Sequence, residues 1–425
     1  MKLFDHQVEA IEKTRDMNKV AYYYDMGLGK TFIGSEKAVS FGAPILVVCQ
    51  KSKIQDWMDH FTKYYSNWCD HIFNLTNSSQ LDVFLWELSQ GNICIGVINY
   101  DLVWRRKELL KLTDFTLMLD ESSLIQNETS KRARFILKMN ATNIILLSGT
   151  PTSGKYENLW SQMHLLGWRI SKELYWKQYI ETELIDCQYS RTGAIKIVTG
   201  YKNVERLKRK MREHGCLFKK TEEVLDLPDQ TFQTIYVPTT SEYKKFLKDR
   251  IVVVNGKELV GENLLTNLLY QRMLCAQYNP EKLTAFRDLV ESTEDRLIVF
   301  YNFNEELEEM MKVTDELGRP TSTINGTVKD LESYENCNDS ITYVQYQSGA
   351  MGLNLQKANK IIYFSPTLSS EKYEQSKKRI HRIGQQHPCF YYKLVCRGSV
   401  ETHIYDALAM YKDFTDDLFQ QSEQQ

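Results

Sequence analysis

The chain has 425 residues, of which 42% are hydrophobic and 25% are charged, and its formal net charge is −2. This composition supports two or three domains with full cores and excludes a polycation. Any nucleic-acid surface must therefore be local, with lysine and arginine gathered on one face. No stretch reaches the roughly 18 consecutive apolar residues that a membrane span needs, so we expect no membrane partner.

The nine cysteines and the first residues bear on the cellular compartment. The sequence contains no C-x-x-C pair and no cysteine–histidine cluster at zinc spacing, which predicts reduced thiols and no structural zinc. The opening MKLFDHQVEA lacks the apolar core that is typical of a signal peptide. We therefore expect a cytoplasmic protein that is not secreted.

The first part of the chain alternates apolar runs with segments of helical spacing. Near-continuous apolar runs are typical of strands that are buried on both faces of a parallel sheet. The runs are KVAYYY (19–24), PILVVCQ (44–50), ICIGVINY (93–100), FTLMLDE (115–121) and NIILLSG (143–149). This pattern predicts an α/β lobe over residues 1–167.

The pattern changes in the middle of the chain and then returns. Residues 168–225 are polar, and we predict a basic, largely helical insertion there, followed by a junction at LDLPDQT (225–231). A second lobe, 226–425, is predicted to have a helical start at about 241–290. Its apolar runs are RLIVFYNF (296–303), ITYVQYQSG (341–349), KIIYFSP (360–366) and CFYYKLVC (389–396). We expect an α/β fold with two parallel-sheet lobes in tandem and helical insertions between them.

The segment DMGLGKT (25–31) has the composition of a phosphate-binding loop between a strand and a helix. Tyr24 occupies the position of the first glycine in the strict pattern, so a plain glycine turn is the alternative. Glycines would let backbone N–H groups point inward, Lys30 would contact the β- and γ-phosphates, and Thr31 would hold Mg²⁺. The predicted nucleotide-binding residues here are Asp25, Met26, Gly27, Leu28, Gly29, Lys30 and Thr31.

A pair of acidic residues ends the run FTLMLDE. Mg²⁺ prefers oxygen ligands, which Asp120 could supply directly or through water. Glu121 could accept a proton from the attacking water or orient it. The pair alone is more often a solvated turn, but a phosphate loop in the same chain makes an ATPase site the favoured interpretation.

The segment KYEQSKKRIHRIGQQ (372–386) supplies a third candidate group. Gln375, Arg379 and Arg382 have the i, i+4, i+7 spacing of one helix face, and guanidinium groups suit phosphate recognition. A solvated basic helix face is the alternative. To act on the nucleotide, these residues would have to come from the second lobe across a cleft.

Together, these motifs and their order resemble the Swi/Snf-type DNA-translocating ATPases of helicase superfamily 2. The resemblance runs from LFDHQ (3–7) to VETHIYDA (400–407). It implies two RecA-like lobes that use ATP and Mg²⁺, with Gln7 recognising adenine and Gly352 contacting the nucleotide. It implies that DNA is bound by Lys51, Ser52, Asn99, Tyr100, Lys219, Lys220, Ser348 and Gly349. It implies that ATP is coupled to DNA by Ser148, Gly149 and Thr150. Ser123 and Ala350 depart from the family pattern, which has His and Gly there.

The resemblance implies an ATP-driven translocase that grips duplex or branched DNA mainly through its phosphates. We expect a small bacterial or phage enzyme that remodels forks, branches or bound proteins, with a nuclease or replication protein as a further partner. One alternative is a strand-separating helicase on single-stranded DNA or RNA. The other is a nucleotide-switched module that recruits such a partner.

Overall fold

The structure is a computed structural model that describes residues 3–69, 71–186, 194–347 and 353–419. Its contacts divide the chain into two compact units. Of the described residues, the N-terminal unit comprises those up to Val224 together with 413–419, and the C-terminal unit comprises those from Leu225 to Lys412. Each unit contains one parallel sheet, which confirms the predicted α/β fold. None of the helices in the described part of the chain combines the length and apolar character needed to cross a bilayer.

The N-terminal unit is organised around a seven-stranded parallel sheet. Its strands and those of a separate hairpin are β1 (Lys19–Tyr24), β2 (Ile45–Cys49), β3 (Ile72–Asn74), β4 (Ile95–Asn99), β5 (Thr116–Asp120), β6 (Asn143–Leu147), β7 (Ile180–Asp186), β8 (Ala194–Tyr201) and β9 (Cys216–Lys219). The order across the sheet is β3-β4-β2-β5-β6-β1-β9, and β7 and β8 form the antiparallel hairpin. The five predicted strands are thus present, while β3 and β9 lack the long apolar run that would mark them.

Nine helices of this unit lie in the described residues. They are α1 (Asp5–Lys13), α2 (Lys30–Ser40), α3 (Ile54–Tyr65), α4 (Ser78–Ser89), α5 (Tyr100–Val103), α6 (Lys131–Ile136), α7 (Trp160–Leu165), α8 (Lys172–Tyr179) and α9 (Val204–Glu213). The three tyrosines of β1 are buried, as expected for a central strand. Tyr22 shares a hydrogen bond of 2.7 Å with Thr14, and Tyr23 donates one of 3.0 Å to Gln162.

The expectation of a largely helical segment at 168–225 is wrong. Helices α8 and α9 are present, but β7 and β8 form a hairpin between them and β9 joins the main sheet beside β1. The sequence AIKIVTGY of β8 is rich in β-branched residues, which favour extended structure over helix. Gly215, with φ at 79°, ends α9 and lets the chain turn back into the sheet.

The C-terminal unit contains a six-stranded parallel sheet and a second hairpin. Its strands are β10 (Gln230–Val237), β11 (Ile251–Val254), β12 (Lys257–Val260), β13 (Leu297–Tyr301), β14 (Thr321–Ile324), β15 (Ile341–Gln345), β16 (Lys360–Tyr363) and β17 (Cys389–Cys396). The order in the sheet is β10-β17-β16-β13-β15-β14. The predicted junction therefore leads directly into an edge strand, β10.

Helices pack around this second sheet. They are α10 (Ser241–Asp249), α11 (Leu264–Cys275), α12 (Pro280–Glu291), α13 (Asn304–Glu316), α14 (Glu332–Asn336), α15 (Ser370–Lys377) and, up to Lys412, α16 (Val400–Phe419). The predicted helical start at about 241–290 is interrupted by the hairpin of β11 and β12. The core includes a buried ion pair, in which Lys282 Nζ lies 2.6 Å from a carboxylate oxygen of Glu401.

Candidate functional site

The sheet order of the N-terminal unit brings its predicted motifs to one edge. Strands β4, β2, β5, β6 and β1 are consecutive neighbours and parallel, so their carboxyl ends lie at the same edge of the sheet. In open α/β sheets this edge is where ligands bind. The segments at these strand ends are Asn99–Tyr100, Lys51–Ser52, Asp120–Glu121, Ser148–Thr150 and Asp25–Thr31.

The phosphate loop has the backbone that its glycines predict. Gly27 and Gly29 have φ values of 90° and 71°, and Gly29 is the residue that precedes α2. A Cβ on Gly29 would lie 2.2 Å from Gln7 Nε2 and would displace that amide, and the positive φ would strain any residue other than glycine. The Gln7 amide donates to the carbonyl oxygens of Leu28 and Gly29, each at 3.4 Å. The side chain predicted to recognise adenine therefore packs against the loop itself.

Lys30 stands at the start of α2 and reaches back across the loop. Its ammonium group donates to the carbonyl oxygens of Tyr24 and Asp25 at 2.8 and 3.2 Å. The ideal Cβ position of Gly149, at the end of β6, lies 3.5 Å from the same nitrogen. The predicted coupling motif thus lies beside the loop. Thr31 follows in the first turn of α2, where backbone N–H groups favour anions.

The two acidic residues are both half-buried and have different hydrogen-bond partners. The carboxylate of Asp120 accepts a hydrogen bond of 2.9 Å from the Trp57 indole nitrogen. Burial raises the pKa of Asp120, while the Trp57 hydrogen bond and the charge of Lys30 oppose this. Glu121 has a left-handed backbone, with φ at 55°, which is costly for a non-glycine residue. Its carboxylate accepts a long hydrogen bond, 3.5 Å, from the Ser148 hydroxyl.

A buried glutamine links three of these motifs. Gln162, in α7, is fully buried, and its carbonyl oxygen accepts hydrogen bonds from Ser122 (2.7 Å) and Tyr23 (3.0 Å). Its amide donates to the carbonyl oxygen of Pro151 at 2.7 Å. The segment after Glu121, the strand before the phosphate loop and the segment after Thr150 therefore share one side chain. The sequence analysis did not identify Gln162, although a polar residue within an apolar stretch can indicate a buried side chain that forms hydrogen bonds.

The coupling residues lie close to this network. The backbone N–H of Thr150 donates to Ser148 Oγ at 3.1 Å, which fixes the turn after β6. Both residues are buried, and Ser123 is buried beside Ser122 in the short turn after Glu121. Small hydroxyl side chains fill this part of the site.

Several predicted contact residues have structural partners instead. The Asp25 carboxylate accepts from the backbone N–H and hydroxyl of Thr221, at 3.2 and 3.1 Å, and so points to β9 and the turn after it. Tyr100 is 2% exposed, and its hydroxyl donates to the Asp120 carbonyl at 2.9 Å. The side chain of Tyr100 is thus held beneath the acidic pair, and its contact with DNA stays a prediction.

The remaining predicted DNA contacts differ in exposure. Asn99 is buried, whereas Lys51 and Ser52 are exposed at the end of β2. The Lys219 ammonium lies 3.9 Å from Glu9 and 3.6 Å from Glu223, which screens its charge. Lys220, the next residue, is half-buried. Lys51 and Ser52 are thus the best placed of this set for a backbone phosphate.

In the C-terminal unit, the predicted helix face does not form. Helix α15 ends at Lys377, so Arg379 and Arg382 lie in the turns that follow it. The Arg379 carbonyl accepts from the backbone N–H of Leu355 at 3.1 Å, a tertiary contact that replaces the next helical hydrogen bond.

The side chains of this group are largely enclosed. Arg379 is buried, and Gln375 donates to a Glu371 carboxylate oxygen at 3.2 Å. Arg382 donates to the Leu353 carbonyl at 3.4 Å, and burial lowers the pKa of its guanidinium group. The predicted residues Ser348, Gly349 and Gly352, and the departure Ala350, lie outside the described residues.

Comparison with protein families places these motifs in a known context. A model described as SNF2-related domain matches residues 11–281, and one described as Helicase conserved C-terminal domain matches residues 281–384. The chain belongs to the SNF2-related family. The resemblance expected from the sequence is thereby confirmed.

Curated relatives of this SNF2-related chain are longer than it is. The mouse (Mus musculus) "SWI/SNF-related matrix-associated actin-dependent regulator of chromatin subfamily A member 1" is 23% identical over 89% of this chain and 39% of its own length. The Saccharomyces cerevisiae "ISWI chromatin-remodeling complex ATPase ISW2" is 22% identical over 96% of this chain and 40% of its own length. The chain thus spans about two fifths of these relatives.

A solved structure also matches. It is the Sulfolobus solfataricus SWI2/SNF2 ATPase core in complex with dsDNA, at 19% identity and a TM-score of 0.47. The match covers 98% of this chain and 93% of that one.

Proposed function

We propose that this chain is an ATP-driven translocase that acts on duplex or branched DNA. The convergence of the phosphate loop, the acidic pair and the Ser148–Thr150 segment at one sheet edge carries this proposal. Membership of the SNF2-related family supports it, as does the ATPase named among the relatives.

The residues at this edge fit a nucleotide with its metal ion. The start of α2 offers backbone N–H groups and the Lys30 ammonium for phosphate oxygens. The Thr31 hydroxyl and Asp120 carboxylate are oxygen donors of the kind that Mg²⁺ prefers. Bound ATP would supply the phosphoryl group and Mg²⁺ would neutralise its charge. Glu121, held near Ser148, would orient the attacking water and accept its proton.

DNA would be gripped through its phosphates. Lys51 and Ser52 are exposed at the same sheet edge as the nucleotide site, so a strand bound there would lie close to the phosphate loop and the coupling segment. Contacts of this kind are independent of sequence and sensitive to salt. Arg379 and Arg382 would act on the nucleotide instead and stabilise charge on its phosphates during hydrolysis.

The test is ATP hydrolysis with no nucleic acid, single-stranded DNA, duplex DNA, branched DNA or RNA, at two salt concentrations. We expect duplex or branched DNA to stimulate turnover, and higher salt to reduce the stimulation. No stimulation by any DNA would exclude a translocase and favour a nucleotide switch. Stimulation by RNA alone would favour a helicase on RNA.

A variant tests the role of Glu121 directly. Glu121→Gln keeps the size of the side chain and removes the base, so we expect ATP binding to persist while turnover falls about 10²–10⁴-fold. Glu222→Gln is the matched control, because Glu222 is an exposed glutamate of the same unit. Near-normal hydrolysis by Glu121→Gln would show that another group activates the water.

A further inference from the structure

The hairpin that sequence reasoning missed forms a basic groove with α8. The groove has a volume of about 660 Å³ and lies in the N-terminal unit. Four lysines and one glutamate line it, together with one tryptophan. These residues are Lys172, Glu173, Trp176, Lys177, Lys196 and Lys202. The excess of three positive charges favours an anionic ligand.

An aromatic ring lies among these charges. Lys172 and Trp176 are four residues apart on α8 and so share a helix face, while Lys196 approaches from β8. The ammonium groups of Lys172 and Lys196 lie 5.7 and 5.8 Å from the centre of the Trp176 ring. A flat apolar surface beside cations is the arrangement that proteins use to stack a base while holding its phosphates.

Three of the four lysines in the groove form no ion pair within the described residues. Lys177, Lys196 and Lys202 are exposed, and none of them has an ion-pair partner within the described residues. Lys172 pairs with Glu128, which lies shortly after the acidic pair in sequence. Three lysines can therefore bind an anion without first breaking a salt bridge.

We propose that this groove binds a single nucleic-acid strand, with phosphates on its lysines and a base stacked on Trp176. A base can stack flat on the Trp176 ring only where its face is exposed, as in a single strand, whereas the bases of a duplex are stacked on one another. The inference rests on the proposed function and narrows it. The preferred substrate is a duplex that carries a single-stranded arm.

The experiment compares two triple variants of the full chain. The groove variant carries Lys177→Gln, Lys196→Gln and Lys202→Gln, and the control carries three changes at exposed lysines elsewhere in the same unit. The control changes are Lys107→Gln, Lys111→Gln and Lys138→Gln. Each set removes the same charge, so a difference between them reports position and not net charge.

The first measurement is binding of a single-stranded oligonucleotide at several salt concentrations, by fluorescence anisotropy. We expect the groove variant to bind more weakly and its log–log salt slope to fall by about 2, since each lost contact to a single strand removes about 0.7. Trp176→Leu should weaken binding about tenfold with little change in slope, because stacking carries no charge. Equal affinity and slope for the groove and control variants would overturn the proposal.

The second measurement is ATP hydrolysis stimulated by a blunt duplex and by a duplex with a single-stranded arm. We expect wild type and control to prefer the armed duplex, and the groove variant to lose that preference while keeping its response to the blunt duplex. Retained blunt-duplex stimulation also shows that the variant is folded. No response of wild type to any DNA would refute the translocase itself, whereas a preference that survives in the groove variant would refute only the groove.

Discussion

The two sheets hold their candidate site residues in different ways. In the N-terminal unit, the phosphate loop, the acidic pair and the Ser148–Thr150 segment directly follow three adjacent parallel strands. In the C-terminal unit, Arg379 and Arg382 lie in turns beyond α15 and are fixed by contacts to the segment around Leu353 and Leu355. Strand pairing thus positions the first group, and local tertiary contacts position the second. Substitutions in the two groups should therefore differ in how they affect ATP turnover and stability.

The largest expected effect tests whether the C-terminal arginines take part in ATP hydrolysis or only stabilise the turns in which they lie. Arg382→Ala should lower ATP turnover about 10³-fold or more, since an arginine that stabilises charge on a transferring phosphate is worth that much. Arg382 also donates to the Leu353 carbonyl, so a purely structural role would lower the melting temperature instead. Steady-state hydrolysis and thermal unfolding, measured on the same sample, separate these outcomes.

The matched control is Arg397→Ala. Arg397 is an exposed arginine of the same unit, and its guanidinium group lies 5.2 Å from the Tyr236 ring. We expect its turnover to stay near that of wild type. If Arg382→Ala also kept near-normal turnover, the assignment of this arginine to the phosphates would be wrong.

A smaller effect is expected from the network that joins the N-terminal motifs. Gln162→Leu leaves the hydroxyls of Ser122 and Tyr23 without their acceptor and the Pro151 carbonyl without its donor. Buried polar groups left unpaired cost about 1–3 kcal/mol, so we expect a loss of about that size in the free energy of unfolding. DNA-stimulated turnover should fall more than basal turnover, because the network touches the coupling segment.

A double-mutant cycle distinguishes a network from simple packing. Adding Ser122→Ala to Gln162→Leu removes one orphaned hydroxyl, so the double variant should be less destabilised than the sum of the two single variants. Urea denaturation measures each free energy. Strict additivity would mean that Ser122 and Gln162 do not depend on one another.

The N-terminal motifs could be predicted from the sequence more fully than the positions of the C-terminal arginines. Apolar runs with acidic or glycine-rich ends identify buried strands and the residues that follow them, because the apolar pattern and its flanking residues are local properties of the sequence. The positions of Arg379 and Arg382 could not be predicted in this way. Their spacing fits a helix, but a hydrogen bond from Leu355 takes the Arg379 carbonyl, and that partner is distant in sequence.

Partners distant in sequence also account for other contacts that the sequence could not show. Asp25 and Tyr100 stand within recognisable motifs, yet Thr221 and the Asp120 carbonyl occupy their polar atoms. The hairpin of β7 and β8 was not predicted, because its polar composition favoured a helical interpretation despite the β-branched residues of β8. Gln162 belongs to no motif, and only the fold brings it to Ser122 and Pro151.

The smallest effect concerns acid stability of the N-terminal unit alone. His60 in α3 is buried, shares a hydrogen bond of 3.0 Å with Ser35 and packs against the Phe32 ring, and burial lowers its pKa to about 4. The unfolded chain, with the ordinary histidine value of about 6.5, takes up the proton first. The stability that neutral His60 provides is therefore complete above about pH 6.5 and is lost as pH falls toward 4.

The matched variant is His60→Gln, which cannot titrate. By pH 5 we expect the free energy of unfolding of the wild type to fall by about 1–2 kcal/mol relative to that of the variant. Hydrogen exchange should show the difference between the two proteins in α3 and not in α13 of the C-terminal unit. A pH-independent difference would mean that His60 has the same pKa in the folded and the unfolded protein.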